Sequence, residues 1–140
     1  MQARVKWVEN TVFMGESGSG HLVMMDGPPE AGGNNLAARP MEMLLMGLGG
    51  CSSFDVVSIL RKSRQDVRGC ELEIKAKRAD TEPKIFTEID LHFVVTGSQL
   101  KETAVKRAVE LSAEKYCSAS IMLERAGVLI SHSYSIVEQS

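Results

Sequence analysis

Cysteine is scarce and scattered in this chain. Cys51, Cys70 and Cys117 are all it has, too few for a disulfide-stapled scaffold. There is no Cys-x-x-Cys pair, no His-x-x-x-His and no Cys/His cluster at zinc-ligand spacing, so the sequence calls for no metal and no cofactor. His21, His92 and His132 stand far apart. No apolar run reaches the ~18 residues of a membrane helix. The start, Met1 to Trp7, lacks the apolar stretch of a signal peptide, so a cytoplasmic protein without a membrane partner is expected. Charge of one sign is also lacking. Sixteen Lys+Arg stand against eighteen Asp+Glu, a net −2, which gives no basic excess for nucleic acid. Between residues 10 and 38 there is no Arg or Lys at all.

What is present is ordinary for one globular domain over residues 1–140: 140 residues, 44% hydrophobic and 24% charged. Ala3, Val5 and Trp7 alternate with Arg4 and Lys6 as in a half-buried strand. Val12–Met14 and His21–Met25 predict two more strands, with the glycines of 15–20 turning the chain between them. No Lys-Ser/Thr follows those glycines, so they do not make a phosphate loop. Asp26-Gly27-Pro28-Pro29 ends the sheet and opens a Gly- and Pro-rich loop.

Pro40 suits the first turn of a helix, and Glu42 follows where the helix dipole favours a carboxylate. From Met43 to Cys51 no polar face interrupts the pattern, and Phe54, Val56, Val57, Ile59 and Leu60 continue it. This predicts a helix buried on nearly all sides, closed by Arg61, Lys62 and Arg64. At about 25 residues it would be ~37 Å long, more than so small a chain covers by itself; a partner subunit is the simple cover. Gly47, Gly49 and Gly50 each weaken a helix by ~1 kcal/mol, which implies close packing or room beside Cys51. Met24, Met25, Met41, Met43 and Met46 crowd the helix start, as adaptable core filler or as the wall of an apolar pocket.

Cys70, Leu72, Ile74 and Ala76 alternate with Glu71, Glu73, Lys75 and Lys77, a strand with one wet face. Thr81–Lys84 turns the chain into a partner strand, Phe86–Val95, with Ile89, Leu91 and Phe93 on its inner side. Ser98 is a candidate cap for a helix from Leu100 to near Tyr116. A short helix, Ala119 to Arg125, starts at Cys117 or Ser118. Val128–Val137 is a last strand. The order βββ-α-ββ-α-α-β is α+β.

Two cysteines carry the chemical interest. Cys51 lies within the apolar helix, either as core or as a thiol given room by Gly49 and Gly50, with Ser52 and Ser53 poor filler for an apolar core. Cys117 lies where a helix begins, either as a thiol whose thiolate the N–H groups there favour, with Lys115 and Ser118 placed to help, or as a capping-region cysteine packed under Tyr116. Cys70 points inward on its strand as plain core. A thiol peroxidase needs one thiolate to attack the O–O bond and a second thiol to condense with the sulfenic acid, together with a cation that holds the thiolate.

The stretch Pro40-Met41-Glu42-Met43-Leu44-Leu45-Met46-Gly47-Leu48-Gly49-Gly50-Cys51 resembles the central-helix motif of the OsmC/Ohr family, the osmotically inducible and organic-hydroperoxide-resistance proteins. Glu114-Lys115-Tyr116-Cys117-Ser118-Ala119-Ser120 resembles that family's second motif, and the element order agrees along the whole chain. Within the family, the sequence looks most like the YhfA-type branch. The resemblance implies an intertwined homodimer with the long helices packed centrally and each site built from both subunits. It implies Cys51 as the attacking and Cys117 as the resolving thiol, an organic hydroperoxide as substrate and a dithiol as reductant. The sequence departs from the family's peroxidases at two points. Their acid directly follows the Pro; here Met41 does, and Glu42 comes one place later, a rotation of ~100° on a helix. Their catalytic Arg precedes the Pro by many residues; here the nearest guanidinium is Arg39. Glu42 and Arg39 are therefore candidates by position, for catalysis or as an ordinary helix-start charge pair. Without a cation, desolvation is expected to disfavour a thiolate at a buried Cys51. The alternative to peroxide reduction is a dimer that binds a small hydrophobic or thiol-reactive molecule without turnover.

Overall fold

A computed structural model describes every residue from Met1 to Ser140. The chain divides into two compact units, Met1–Met46 and Gly47–Ser140.

In the first unit β1 (Ala3–Glu9), β2 (Val12–Ser17) and β3 (Leu22–Met25) form an antiparallel sheet in the order β1-β2-β3. β1 differs from the half-buried strand expected: every residue in it is exposed, Trp7 at 64%. Its indole N–H donates to the Asn10 carbonyl at 2.8 Å. The following loop is organised by Asp26, which is buried. Its carboxylate accepts from the Thr11 hydroxyl and from the backbone N–H groups of Gly27, Asn34 and Leu36. Those bonds, led by Thr11 and Leu36, outweigh desolvation and hold its pKa down to about 2.

Helix α1 (Pro40–Lys62) runs 23 residues, ~35 Å at 1.5 Å per residue. Arg61 and Lys62 lie in its last turn; Arg64 lies beyond it in the left-handed conformation. By length and composition α1 is apolar enough to cross a membrane, which corrects the expectation that no segment qualifies. It carries Glu42 and Asp55 and buries one stripe, as the core helix of a globular fold does. That stripe is Leu48, Gly49, Ser52, Val56 and Leu60. The prediction of burial on nearly all sides also fails within one chain: Leu44, Met46 and Phe54 are 55%, 51% and 74% exposed.

In the second unit β4 (Asp66–Arg78), β5 (Phe86–Ser98) and β6 (Leu129–Glu138) form a sheet with β5 central. β4 pairs antiparallel to β5, and β6 pairs parallel to it. The parallel return is made through α2 (Glu102–Leu111), a π-helical turn at Ser112–Tyr116 and α3 (Ser118–Arg125). Ser98 does not cap α2. It ends β5, Gln99 takes a left-handed turn and the helix starts after Lys101. Ile89, Leu91, Phe93 and Val95 of β5 are buried. Leu72 and Ile74 of β4 pair with Phe93 and Leu91, so all four share a face. Gly49 of α1 packs against that face, since a Cβ there would lie 2.8 Å from Ile74 Cδ1. The opposite face is polar. On it His92 bonds the Ser133 and Ser135 hydroxyls, and Lys77 pairs with Glu88.

Candidate active site

The second unit brings Cys51 and Cys117 together although 65 residues separate them in sequence. Their sulfurs and a carboxylate oxygen of Asp55 all lie within 4.8 Å of one another. Three local features make this possible. Cys51, Ser52 and Asp55 share α1, with Asp55 four residues after Cys51 and so one turn along the same face. The π-helical turn ends the α2 segment, and its Ser112 carbonyl accepts from the Cys117 N–H at 2.9 Å. Cys117 then occupies the cap position of α3, where its sulfur accepts from the Ser120 N–H at 3.4 Å.

A polar shell surrounds the sulfurs. The Ser52 hydroxyl lies 3.1 Å from Cys117 Sγ, and the Ser118 hydroxyl 3.8 Å from Cys51 Sγ. The buried Ser112 hydroxyl lies 3.3 Å from the Ser52 carbonyl and 3.4 Å from Asp55 Oδ2, both acceptors. All three cysteines are free thiols.

The two thiols are tuned apart. Burial pushes Cys117 up, and the proximity of Cys51 adds to this; hydrogen bonds from Ser52 and the Ser120 N–H only partly offset it. At Cys51 desolvation is again the largest single influence and also acts upward, with Asp55 adding to it. The Ala119 N–H, the Cys117 thiol and the Ser118 hydroxyl together outweigh both and leave Cys51 below its ordinary value. Asp55 itself is raised by burial, against the Ser112 hydroxyl. The first turn of α3 acts downward on both thiols, through the Ser120 N–H at Cys117 and through the Ala119 N–H and Ser118 hydroxyl at Cys51; at Cys117 burial outweighs it. The upward pull of desolvation expected at Cys51 is present and is outweighed. Cys51 is half-buried and Cys117 fully buried.

The remaining candidates make other contacts. The Glu42 carboxylate accepts from the Arg39 backbone N–H at 2.9 Å, the reach-back half of a capping box at the start of α1. Lys115 is exposed, its ammonium 5.4 Å from the Tyr116 ring centroid. Cys70 alternates inward as expected but is only half-buried. It opens on a cavity of about 590 Å³ lined also by Gly50, Ser53, Phe54, Val57 and Arg61. Asp55 and Ser112 were not singled out by sequence. The Cys-x-x-x-Asp spacing was a usable signal for Asp55; Ser112 had none, since its place depends on the π-helical turn.

A three-stranded mixed sheet layered with a long helix, and two thiols of opposite tuning between that helix and a short capped one, define an OsmC-like thiol protein. A family model described as OsmC-like protein matches residues 32–133, and the chain belongs to that family. Protein YhfA of Escherichia coli strain K12 is 58% identical over 137 residues, covering 98% of either chain. A hypothetical protein from Aquifex aeolicus VF5 has a solved structure that superposes with a TM-score of 0.85 at 30% identity, covering 99% of this chain and 97% of that one. A structure from Legionella pneumophila described as an organic hydroperoxide resistance protein OsmC has a TM-score of 0.68 at 18% identity, covering 96% and 95%, a likeness of fold.

Proposed function

We propose that this protein is a thiol-dependent peroxidase that reduces organic hydroperoxides in oxidative stress defence, working as a homodimer in the cytoplasm. The observation that carries the reading is the placement of two free thiols within 4.8 Å of each other, one half-exposed and one fully buried. The Cys51 thiolate attacks the outer oxygen of ROOH; the O–O bond breaks, the alkoxide takes a proton and leaves as ROH, and Cys51 becomes a sulfenic acid. The Cys117 thiol then attacks that sulfur, forming the disulfide and releasing water. An external dithiol reduces the disulfide and leaves as its own disulfide, which restores both thiols. Half-exposure of Cys51 gives the peroxide access, and burial of Cys117 keeps the second thiol for the internal step. Glu42 and Arg39 serve in this reading to anchor the start of α1. The homodimer is supported by the apolar side of α1 on which Leu44, Met46 and Phe54 are each more than half exposed.

One observation favours a second reading, binding without turnover: the cavity beside Phe54 and Cys70. Thiol counting before and after one equivalent of an organic hydroperoxide, with mass mapping of any disulfide, separates the two. Loss of two thiols with a Cys51–Cys117 link is expected. Cys51→Ser should abolish the reaction, and Cys117→Ser should stop it at the sulfenic acid. Three unchanged thiols in the wild type overturn the peroxidase reading.

A further inference from the structure

We propose that Cys51, Cys117 and Asp55 form a binding site for a thiophilic divalent cation, zinc(II) being the natural fit. The spacing of the chain hides this site, because no two of its ligands make a recognised metal motif; the tertiary structure assembles it. The three ligand atoms lie within 4.8 Å of one another. At zinc distances of ~2.3 Å to sulfur and ~2.1 Å to oxygen, a tetrahedral ion sets its ligands about 3.8 Å (S to S) and about 3.6 Å (S to O) apart. The observed spread therefore closes onto an ion with side-chain shifts of about 1 Å. Two sulfurs and one carboxylate suit a borderline-soft ion and disfavour magnesium or calcium, which take shells of oxygen.

The surroundings have the form of a metal site's outer shell. Each prospective ligand has a donor group beside it: the Ser52 hydroxyl and the Ser120 N–H at Cys117, the Ser118 hydroxyl at Cys51, and the Ser112 hydroxyl at Asp55. Donors directed at sulfur and carboxylate oxygen stabilise anionic ligands and hold them in place. No fourth protein ligand belongs to the group, so the fourth position takes water. Binding releases the protons of the two thiols and involves no redox step. The site does not depend on the peroxidase reading, since it requires only that both cysteines be reduced.

The test uses reduced, chelator-treated full-length protein. Zinc(II) is titrated against a chromophoric chelator, and cobalt(II) is added separately to read thiolate-to-metal charge transfer. One zinc per chain is expected, together with the charge-transfer band of a tetrahedral thiolate site and protection of Cys51 and Cys117 from alkylation in the wild type. Cys51→Ser and Cys117→Ser should each lose most of the band. Asp55→Asn should keep the band but weaken zinc binding about tenfold or more, and Cys70→Ser should change neither. The proposal is overturned by failure of the wild type to bind one zinc, by alkylation of Cys51 and Cys117 unslowed by zinc, by a band that survives Cys51→Ser, or by unchanged affinity in Asp55→Asn. Peroxide consumption by the metal-free protein is scored separately, so either reading can fail alone.

Discussion

Replacing Gly49 by valine tests how α1 is seated on the second sheet. Gly49 is buried, and a Cβ at this position would lie 2.8 Å from Ile74 Cδ1 and 3.4 Å from Leu72 Cδ2. Alanine is too close only to the mobile end of Ile74 and makes ordinary contact with Leu72. A rotamer change there relieves the contact, and the gain in helix propensity of ~1 kcal/mol offsets what strain remains, so Gly49→Ala should be close to neutral. Valine adds two methyl groups where the facing leucine and isoleucine leave no room. Overpacking of this kind costs about 1–3 kcal/mol, beyond anything the helix gains. With a urea slope near 2 kcal/mol per molar, the midpoint should fall by about 0.5–1.5 M at unchanged slope. The assay is urea unfolding followed by circular dichroism for wild type, Gly49→Ala and Gly49→Val. A Gly49→Val midpoint equal to that of the wild type would refute the packing of α1 against Leu72 and Ile74.

Gly50 is exposed and has nothing within 4 Å of its would-be Cβ; in the proposed homodimer its neighbour is the partner subunit, so Gly50→Leu should shift the dimer toward monomer in sedimentation, and an unaltered dimer counts against that face as the interface. Asp26 is depressed from 3.8 to about 2, so it stabilises the fold above pH ~4, and that stabilisation is lost as the pH falls from ~4 toward ~2. Asp26→Asn should flatten the stability-versus-pH curve across that window relative to wild type, measured by urea unfolding at several acidic pH values; parallel curves would remove Asp26 as the latch of its loop. The buried Ser120 hydroxyl has no partner within the chain, whereas Ser112 is bonded. Thermal unfolding should therefore find Ser120→Ala neutral or stabilising and Ser112→Ala about 1 kcal/mol destabilised; the reverse order would contradict the network around Asp55.

Local patterns along the chain are enough to mark the main strands and helices and the family. Period-two alternation from Cys70 to Lys77 and in Phe86–Val95 marked the long hairpin, because a sheet wet on one face must alternate. The apolar stretch after Pro40 marked the long helix, and the residues around Cys51 and Cys117 carried the resemblance to OsmC-like proteins. Tertiary structure decided what local patterns do not encode. β1 alternates in sequence yet is exposed along its whole length, because alternation states which face could be buried and not whether anything covers it. The partner of Glu42 is the Arg39 backbone N–H, and no side-chain pattern specifies a backbone donor. Most of all, which thiol is the acidic one depends on where the first turn of α3 points. Cys117 begins that helix, but burial raises it, while the neighbouring Ala119 N–H and Ser118 hydroxyl serve Cys51 from across the chain. Hydrogen bonding and desolvation act over a few ångströms of space, and no spacing along the chain reports that distance.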